Sequence, residues 1–368
     1  MTPRTLLVLG VLAAAAAGVA GVMAVRQPPP ATAPLVSGRL MFPGLVDRLQ
    51  TAAKVEITGK DGTLVLVRGG AVWGLADRAG YPAQQSRVRE MFSALTELRL
   101  TEPRTADPAQ LKTLNLDDPG PDSSALKLVV RGADGGVIAA LIAGRRRVRM
   151  AGNVPEAIYV RRPGENQAWL AEGSLRIDAE RNLWIDRDLL DIKRPRVAAA
   201  EFRQGDHAIA LARPAPDAER LEVVDPPEGF HADSAKLDDV ARALEWTTLD
   251  DVAPAGDLAG AAEVGRATWR LYDGTRITAR VVEKDGARWT AFDVSWTAPE
   301  VAPPEGEGRP TPEAAKADAD AATGRLSGWF YKLPDWKLAT FLTSLETLRA
   351  SEQPPAQAQP QPAAGGGN

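Results

Sequence analysis

His207 and His231 are the only imidazoles in the chain, and neither has neighbours of the right type at the spacing that imidazole chemistry needs. A helical H-E-x-x-H pair would hold zinc and activate water, and no such pair occurs. Both histidines fall in or beside turn-forming segments and read as ordinary surface or turn residues. Cysteine is absent, which removes thiolate nucleophiles, thiolate metal sites, disulfides and a lipid-modified cysteine. There is also no G-x-S-x-G elbow, phosphate-binding Walker loop or dinucleotide fingerprint. Asp186, Asp188 and Asp191 form one carboxylate cluster, and Asp117, Asp118 and Asp122 another. Calcium takes oxygen ligands of this kind, but neither cluster has the EF-hand spacing or its closing glutamate. They read instead as helix caps and turn residues. The basic run Arg145-Arg146-Arg147 with Arg149, followed by Arg161-Arg162, suits lipid headgroups or an acidic partner; its plainer reading is the solvated end of a hairpin. Of nine tryptophans, Trp169, Trp184, Trp269, Trp289, Trp296, Trp329 and Trp336 come mainly from strand-like text, where they build cores or a binding face. No catalytic, cofactor-binding or metal residue is assigned.

Place is more legible than chemistry. Thr5 to Val25 is an uncharged run between Arg4 and Arg26, and roughly 20 apolar residues suffice to cross a bilayer as a helix. Residues 1–26 are therefore expected to be a transmembrane anchor, with the body exported. Val22-Met23-Ala24 offers a cleavage site for the alternative, a signal peptide. The 324 residues that follow a Pro-rich spacer at 27–44 are on the order of two domains' worth. The net charge of -4, thinly spread over 368 residues, gives no polyanion-binding signal and argues against nucleic acid.

The elements that must position any site come next. Val55-Glu56-Ile57 and Leu64 to Val67 form a hairpin around Lys60-Asp61-Gly62, with a third strand at Trp73 and Leu75. Val88, Met91, Phe92, Leu95 and Leu98 have helical spacing, and Ser86 stands where an N-cap is needed. The pattern then recurs. Ala200-Glu201-Phe202, Asp206, Ile209, Leu211 and Arg213 align with Val55-Glu56-Ile57, Asp61, Leu64, Leu66 and Arg68 without a gap. Gly229-Phe230 answers Gly80-Tyr81, and Leu237, Val240, Ala241 and Leu244 answer the helix. Strand pairs follow in both halves, turning at Asp134-Gly135 and at Asp273-Gly274, and Trp184 and Trp329 close the halves. The expected fold is α+β: two tandem related domains, 45–192 and 193–350, of antiparallel sheet plus amphipathic helices. Asp335 to Leu348 is the expected terminal helix. A mobile insert is expected at 299–322 and a disordered tail at 351–368.

Trp73, Gly80-Tyr81-Pro82-Ala83, the Val88-to-Leu98 helix, Leu114-Asn115-Leu116-Asp117-Asp118-Pro119 and Ile158-Tyr159-Val160-Arg161 follow one another in an order that resembles the bacterial domain of unknown function 4340 family. The resemblance covers roughly Leu45 to Leu190, and the second half more faintly. It implies single-anchor envelope proteins, with related modules accompanying auxiliary components of gliding-type ABC transport systems. The family has no established biochemistry, so no catalytic residue is carried over.

The expectation is a non-enzymatic accessory or interaction subunit of an envelope complex such as an ABC transport system. It is anchored in the bacterial inner membrane with its body in the periplasm and has protein partners there. The alternative is a periplasmic ligand-binding or hydrolytic protein acting on envelope glycan or peptide, with converging carboxylates in a pocket.

Overall fold

β-Branched and aromatic residues alternating with polar ones favour pleated strands with one buried face, and such text fills much of this chain. A computed structural model describes residues 38–147, 156–300 and 310–350. The expected anchor, most of the spacer, Arg149 and the tail lie outside the described residues, as do residues 301–309 of the insert. Among the described residues, no helix is long and apolar enough to cross a membrane.

The strands are β1 (Arg39–Leu40), β2 (Ala52–Gly59), β3 (Gly62–Gly69), β4 (Val72–Leu75), β5 (Tyr81–Pro82), β6 (Arg99–Pro103), β7 (Leu126–Gly132), β8 (Val137–Arg147), β9 (Ala157–Arg161) and β10 (Ala168–Glu172). They continue as β11 (Asp188–Leu190), β12 (Val197–Gln204), β13 (His207–Ala212), β14 (Glu222–Val223), β15 (Thr247–Thr248), β16 (Asp251–Pro254), β17 (Ala262–Leu271), β18 (Thr275–Lys284), β19 (Ala287–Trp296) and β20 (Trp329–Lys332). The helices are α1 (Leu45–Leu49), α2 (Gln85–Glu97), α3 (Pro108–Leu111), α4 (Ser234–Ala241), α5 (Pro312–Leu326), α6 (Asp335–Phe341) and α7 (Leu345–Leu348). This is an α+β fold, mostly antiparallel sheet.

The chain divides into two compact units. Unit 1 comprises the chain up to Trp73 together with Gln84–Leu183; unit 2 comprises Gly74–Ala83 and the chain from Trp184 onward. The principal sheet of unit 1 runs β1-β6-β10-β9-β8-β7-β2-β3, and that of unit 2 runs β14-β13-β12-β17-β18-β19-β20-β16. Every registered pair in both is antiparallel. Read from the first hairpin outward, β3-β2-β7-β8-β9-β10-β6 and β13-β12-β17-β18-β19-β20-β16 follow one path.

In unit 1, Val55, Ile57, Leu64 and Leu66 are buried from the hairpin and Val88, Met91 and Leu95 from α2, as their spacing predicts. Unit 2 is built on a run of rings. Phe202, Trp269, Phe341, Phe292 and Tyr331 meet in succession at centroid separations of 5.6, 5.0, 5.8 and 6.0 Å, and Tyr81 joins through Tyr331 at 6.2 Å and Trp329 at 5.1 Å. Each such pair adds about 0.5–1.5 kcal/mol beyond its burial.

Five sequence expectations need correction. The fold begins ahead of the expected spacer end, because Arg39 and Leu40 pair with Leu100 and Arg99 and Met41 and Phe42 are buried. Helix α2 starts at Gln85, so Ser86 lies inside its first turn and does not cap it. The second half of the expected mobile insert is α5, capped by Thr311 with proline in its first turn and burying Ala315, Ala319 and Leu326. The expected terminal helix is broken into α6 and α7, where Ser344 caps the second with a capping box and the Leu342 and Thr343 carbonyls accept from Gln204 Nε2 at 2.9 and 3.1 Å. Finally, β10 and β20 occupy the same place in the two strand orders, so Trp329 at the head of β20 answers Trp169 in β10 rather than Trp184.

Candidate functional site

Along one face of the unit 2 sheet the buried positions are Phe202, Ala267, Trp269, Ile277, Ala279 and Phe292. Strand residues alternate between faces, so the residues between them point outward, and there arginine dominates. Register sets Arg203 opposite Arg266 and Arg266 opposite Arg280, giving three guanidinium groups in one cross-strand row. The next row is Glu201, Thr268, Thr278 and Asp293, and the one beyond it contains Arg270 and Arg276. All five arginines are exposed. The hydroxyls of Thr268 and Thr278 lie 3.3 Å apart between the arginine rows.

Like charges directly opposed across strands are unfavourable, and the carboxylates relieve this only in part. Glu263 receives Arg266 Nε and Nη2 at 2.9 and 2.8 Å. That bond to Arg266, with a contribution from Arg280, holds the Glu263 carboxyl below its ordinary value. Glu201 pairs with Arg270 at 3.2 Å. Arg280 stacks 5.0 Å from the Phe330 ring centroid. Arg203 and Arg276 have no ion pair among the described residues.

Two hollows open on this face. One, of ≈ 740 Å³, includes Glu201, Arg203, Arg266, Thr268 and Val223 in its lining; a second, of ≈ 360 Å³, includes Arg266, Thr278, Arg280 and Asp293. Arg266 is common to both. The wall of the second is α5, seated along β19 where Thr323 Oγ1 donates to the Val294 carbonyl at 2.6 Å. A third hollow, of ≈ 510 Å³, lies around the end of β13 and is lined by Phe202, His207, Ile209 and Leu345 among others. Chemically this surface can hold carboxylate or phosphate oxygens through guanidinium forks and hydroxyls.

The residues singled out from sequence do not gather in one place. His207 opens β13, exposed, and lines the third hollow; His231 is exposed, and its carbonyl accepts from Ala350. Among the described residues no three acidic or histidine side chains are placed to hold a metal ion. Asp118 is paired with Arg161 at 2.6 Å, and Asp191 with Lys193 at 2.8 Å. Asp186 is half-buried, and desolvation pushes its carboxyl above the ordinary value, opposed by a hydrogen bond from the Asp188 backbone. The expected basic patch comes apart. Arg145 and Arg146 are exposed, but Arg161 is buried on the Leu116 carbonyl, and Arg162 donates to the Met41 carbonyl at 2.6 Å. Trp184 and Trp269 are fully buried, whereas Trp246 and Trp336 are 68% and 65% exposed.

The sequence reading missed the five arginines, although a signal was present. Arg-x-Thr-x-Arg occurs at 266–270 and again at 276–280, symmetric about Asp273, so a hairpin turning there must place like on like.

An antiparallel α+β protein with an exposed arginine face is the class this geometry defines. A family model described as "Domain of unknown function (DUF4340)" matches residues 73–263, more than half of the chain, and the chain belongs to that family. Comparison with curated proteins and with solved structures found no match.

Proposed function

We propose that this protein is a non-enzymatic binding subunit of a bacterial envelope assembly, such as an ABC transport system. It is held at the inner membrane by Thr5 to Val25 with its body in the periplasm. The observation that carries the reading is the arginine face of unit 2, where Arg203, Arg266 and Arg280 stand in one exposed row and only Arg266 is ion-paired, to Glu263. Exposed, mutually repelling cations at the mouths of hollows suit recognition of an anionic partner surface. The long uncharged N-terminal run supports the tether. The shared strand path, with matching turns at Asp134-Gly135 and Asp273-Gly274, supports a further reading, that the units are tandem copies of one module.

The test is recovery of a carboxy-terminally tagged copy from detergent-solubilised membranes, followed by mass spectrometry. Wild type is expected to bring down stoichiometric membrane partners. A triple variant, Arg203→Gln, Arg266→Gln and Arg280→Gln, is expected to lose them by about ten-fold or more, as charge-assisted contacts imply. Recovery of the protein alone, or of the same partners with the triple variant, overturns the proposal.

A further inference from the structure

Resting on the binding role above, we infer that β13 is a strand acceptor: an extended partner segment, alternating carboxylate and apolar side chains, adds to its open edge. The argument begins with backbone direction. In an antiparallel ladder a residue turns its N–H and C=O to the same side, and its neighbours in the strand turn theirs to the other. Val224 N–H donates to the Ala210 carbonyl at 2.9 Å, so Ala210 points away from β12. Ala208, two residues back, does the same. The β13–β14 register consists of Leu211 with Val223 and Ala212 with Glu222. Past Val224 the chain turns off at Asp225, whose φ of 50° lies in the left-handed region. Ala208 therefore offers its N–H and C=O on a side that no described strand covers. Proteins guard such edges with lysine, proline or bulges, and His207-Ala208-Ile209-Ala210 has none of these.

The hollows supply the specificity. Ala208 and Ile209 line both the ≈ 740 Å³ hollow and the ≈ 510 Å³ hollow, so the two meet around this edge. Side chains of an added strand fall alternately on the two faces of the sheet. On the outward face they lie across Ala208, which is small, toward Arg203 opposite it and Arg266 beyond. Glu201 and Glu263 are already engaged with Arg270 and Arg266, and Asp225 stands on the loop beyond β14. Arg203 is left as the guanidinium that meets a carboxylate from the added strand. On the inward face the neighbours are Phe202, Ile209 and Leu345, which take apolar groups.

The experiment selects phage-displayed random decapeptides on the full-length protein in detergent micelles, in parallel with Ala208→Pro and Arg203→Glu. Each variant is first checked for the wild-type thermal transition. Wild type is expected to enrich Asp or Glu at alternate positions separated by Val, Ile or Leu. A peptide from that pool should protect the Ala208 amide from hydrogen exchange and bind Ala208→Pro about ten-fold or more weakly, since proline has no N–H to join the ladder. Arg203→Glu should enrich Lys or Arg at the same alternate positions. Should Ala208→Pro fail to fold, this charge reversal and the exchange protection decide the matter. Absence of an alternating pattern, an undiminished selection on Ala208→Pro, or Arg203-dependent capture of phosphatidylglycerol vesicles in place of peptide each overturns strand addition. Partners that co-purify with Ala208→Pro but not with the arginine triple variant leave the binding role standing and remove this inference alone.

Discussion

Asp273 shows how one residue can tie a turn, a strand and a distant loop together. Its side chain is 3% exposed and accepts from Arg196 Nε at 2.9 Å and from the Thr275 amide at 3.1 Å, while its carbonyl accepts from Trp296 Nε1 at 2.8 Å. Arg196 is itself 12% exposed, so Asp273→Ala strands a cation in the interior. We expect a loss of about 3–5 kcal/mol, read from the urea midpoint at constant slope. Asp186 works in the opposite sense. Its folded pKa is raised, first by burial, so the folded state binds its proton more tightly than the unfolded chain does. The resulting penalty is absent below the unfolded value near pH 4, grows as pH rises through the raised folded value, and is complete above it. Asp186→Asn should therefore raise the melting temperature at pH 7 and leave it unchanged near pH 3; an equal gain at both pH values would contradict this. The sequence reading found Asp273-Gly274 as a hairpin turn but not its partner, because Arg196 lies 77 residues earlier and only folding brings them together. Arg266, Arg270, Arg276 and Arg280 were legible in principle through the symmetric spacing of the hairpin. Arg203 was not, since its place in the row depends on β12 lying beside β17.

At the scale of elements, periodicity revealed those that bury large side chains. Helix α2 exposes its stripe of Val88, Met91 and Leu95 to anyone counting threes and fours. Helix α5 has no such stripe. It is mostly alanine and charge, and it holds its place through small buried residues, Ala315 and Ala319, and through Thr323 on the Val294 carbonyl. Composition alone therefore resembled a linker. Amides from Ala319 to Arg325 should exchange with solvent far more slowly than those of a free peptide of the same sequence. Thr323→Val should lower stability by about 1 kcal/mol while leaving that helix formed. Uniformly fast exchange across α5 would show that its place beside β19 is not held. The break between α6 and α7 was hidden for another reason. Ser344 caps the new helix locally, but the Leu342 carbonyl is received by Gln204, in a strand 138 residues away.

For the whole molecule, the notable feature is that unit 2 is not one stretch of chain. Gly74–Ala83 belong to it, although unit 1 continues on either side. That segment brings Arg78, which grips the Asp251 carboxylate at 2.7 and 3.0 Å, and Tyr81, which packs against Trp329 and Tyr331. A fragment of residues 184–350 should accordingly melt well below unit 2 in the intact chain, and a synthetic peptide of residues 72–84 should restore part of the difference. An unchanged transition in the fragment would mean that the segment contributes little. The antiparallel hairpins at Asp134-Gly135 and Asp273-Gly274 were readable from the turns, but this excursion was not, because nothing in Gly74–Ala83 marks which neighbours it will find.

The same interleaving sets an order in time. Tyr81 leaves the ribosome about 250 residues before Tyr331, and at roughly 5–20 residues per second that is a wait of about 12–50 s. For that interval the Tyr81 ring lacks Trp329 and Tyr331, the rings it packs against. The solubility of the Tyr81 segment then rests on whatever escorts the nascent chain, and a chaperone that releases the first half early leaves that segment free to find a wrong partner.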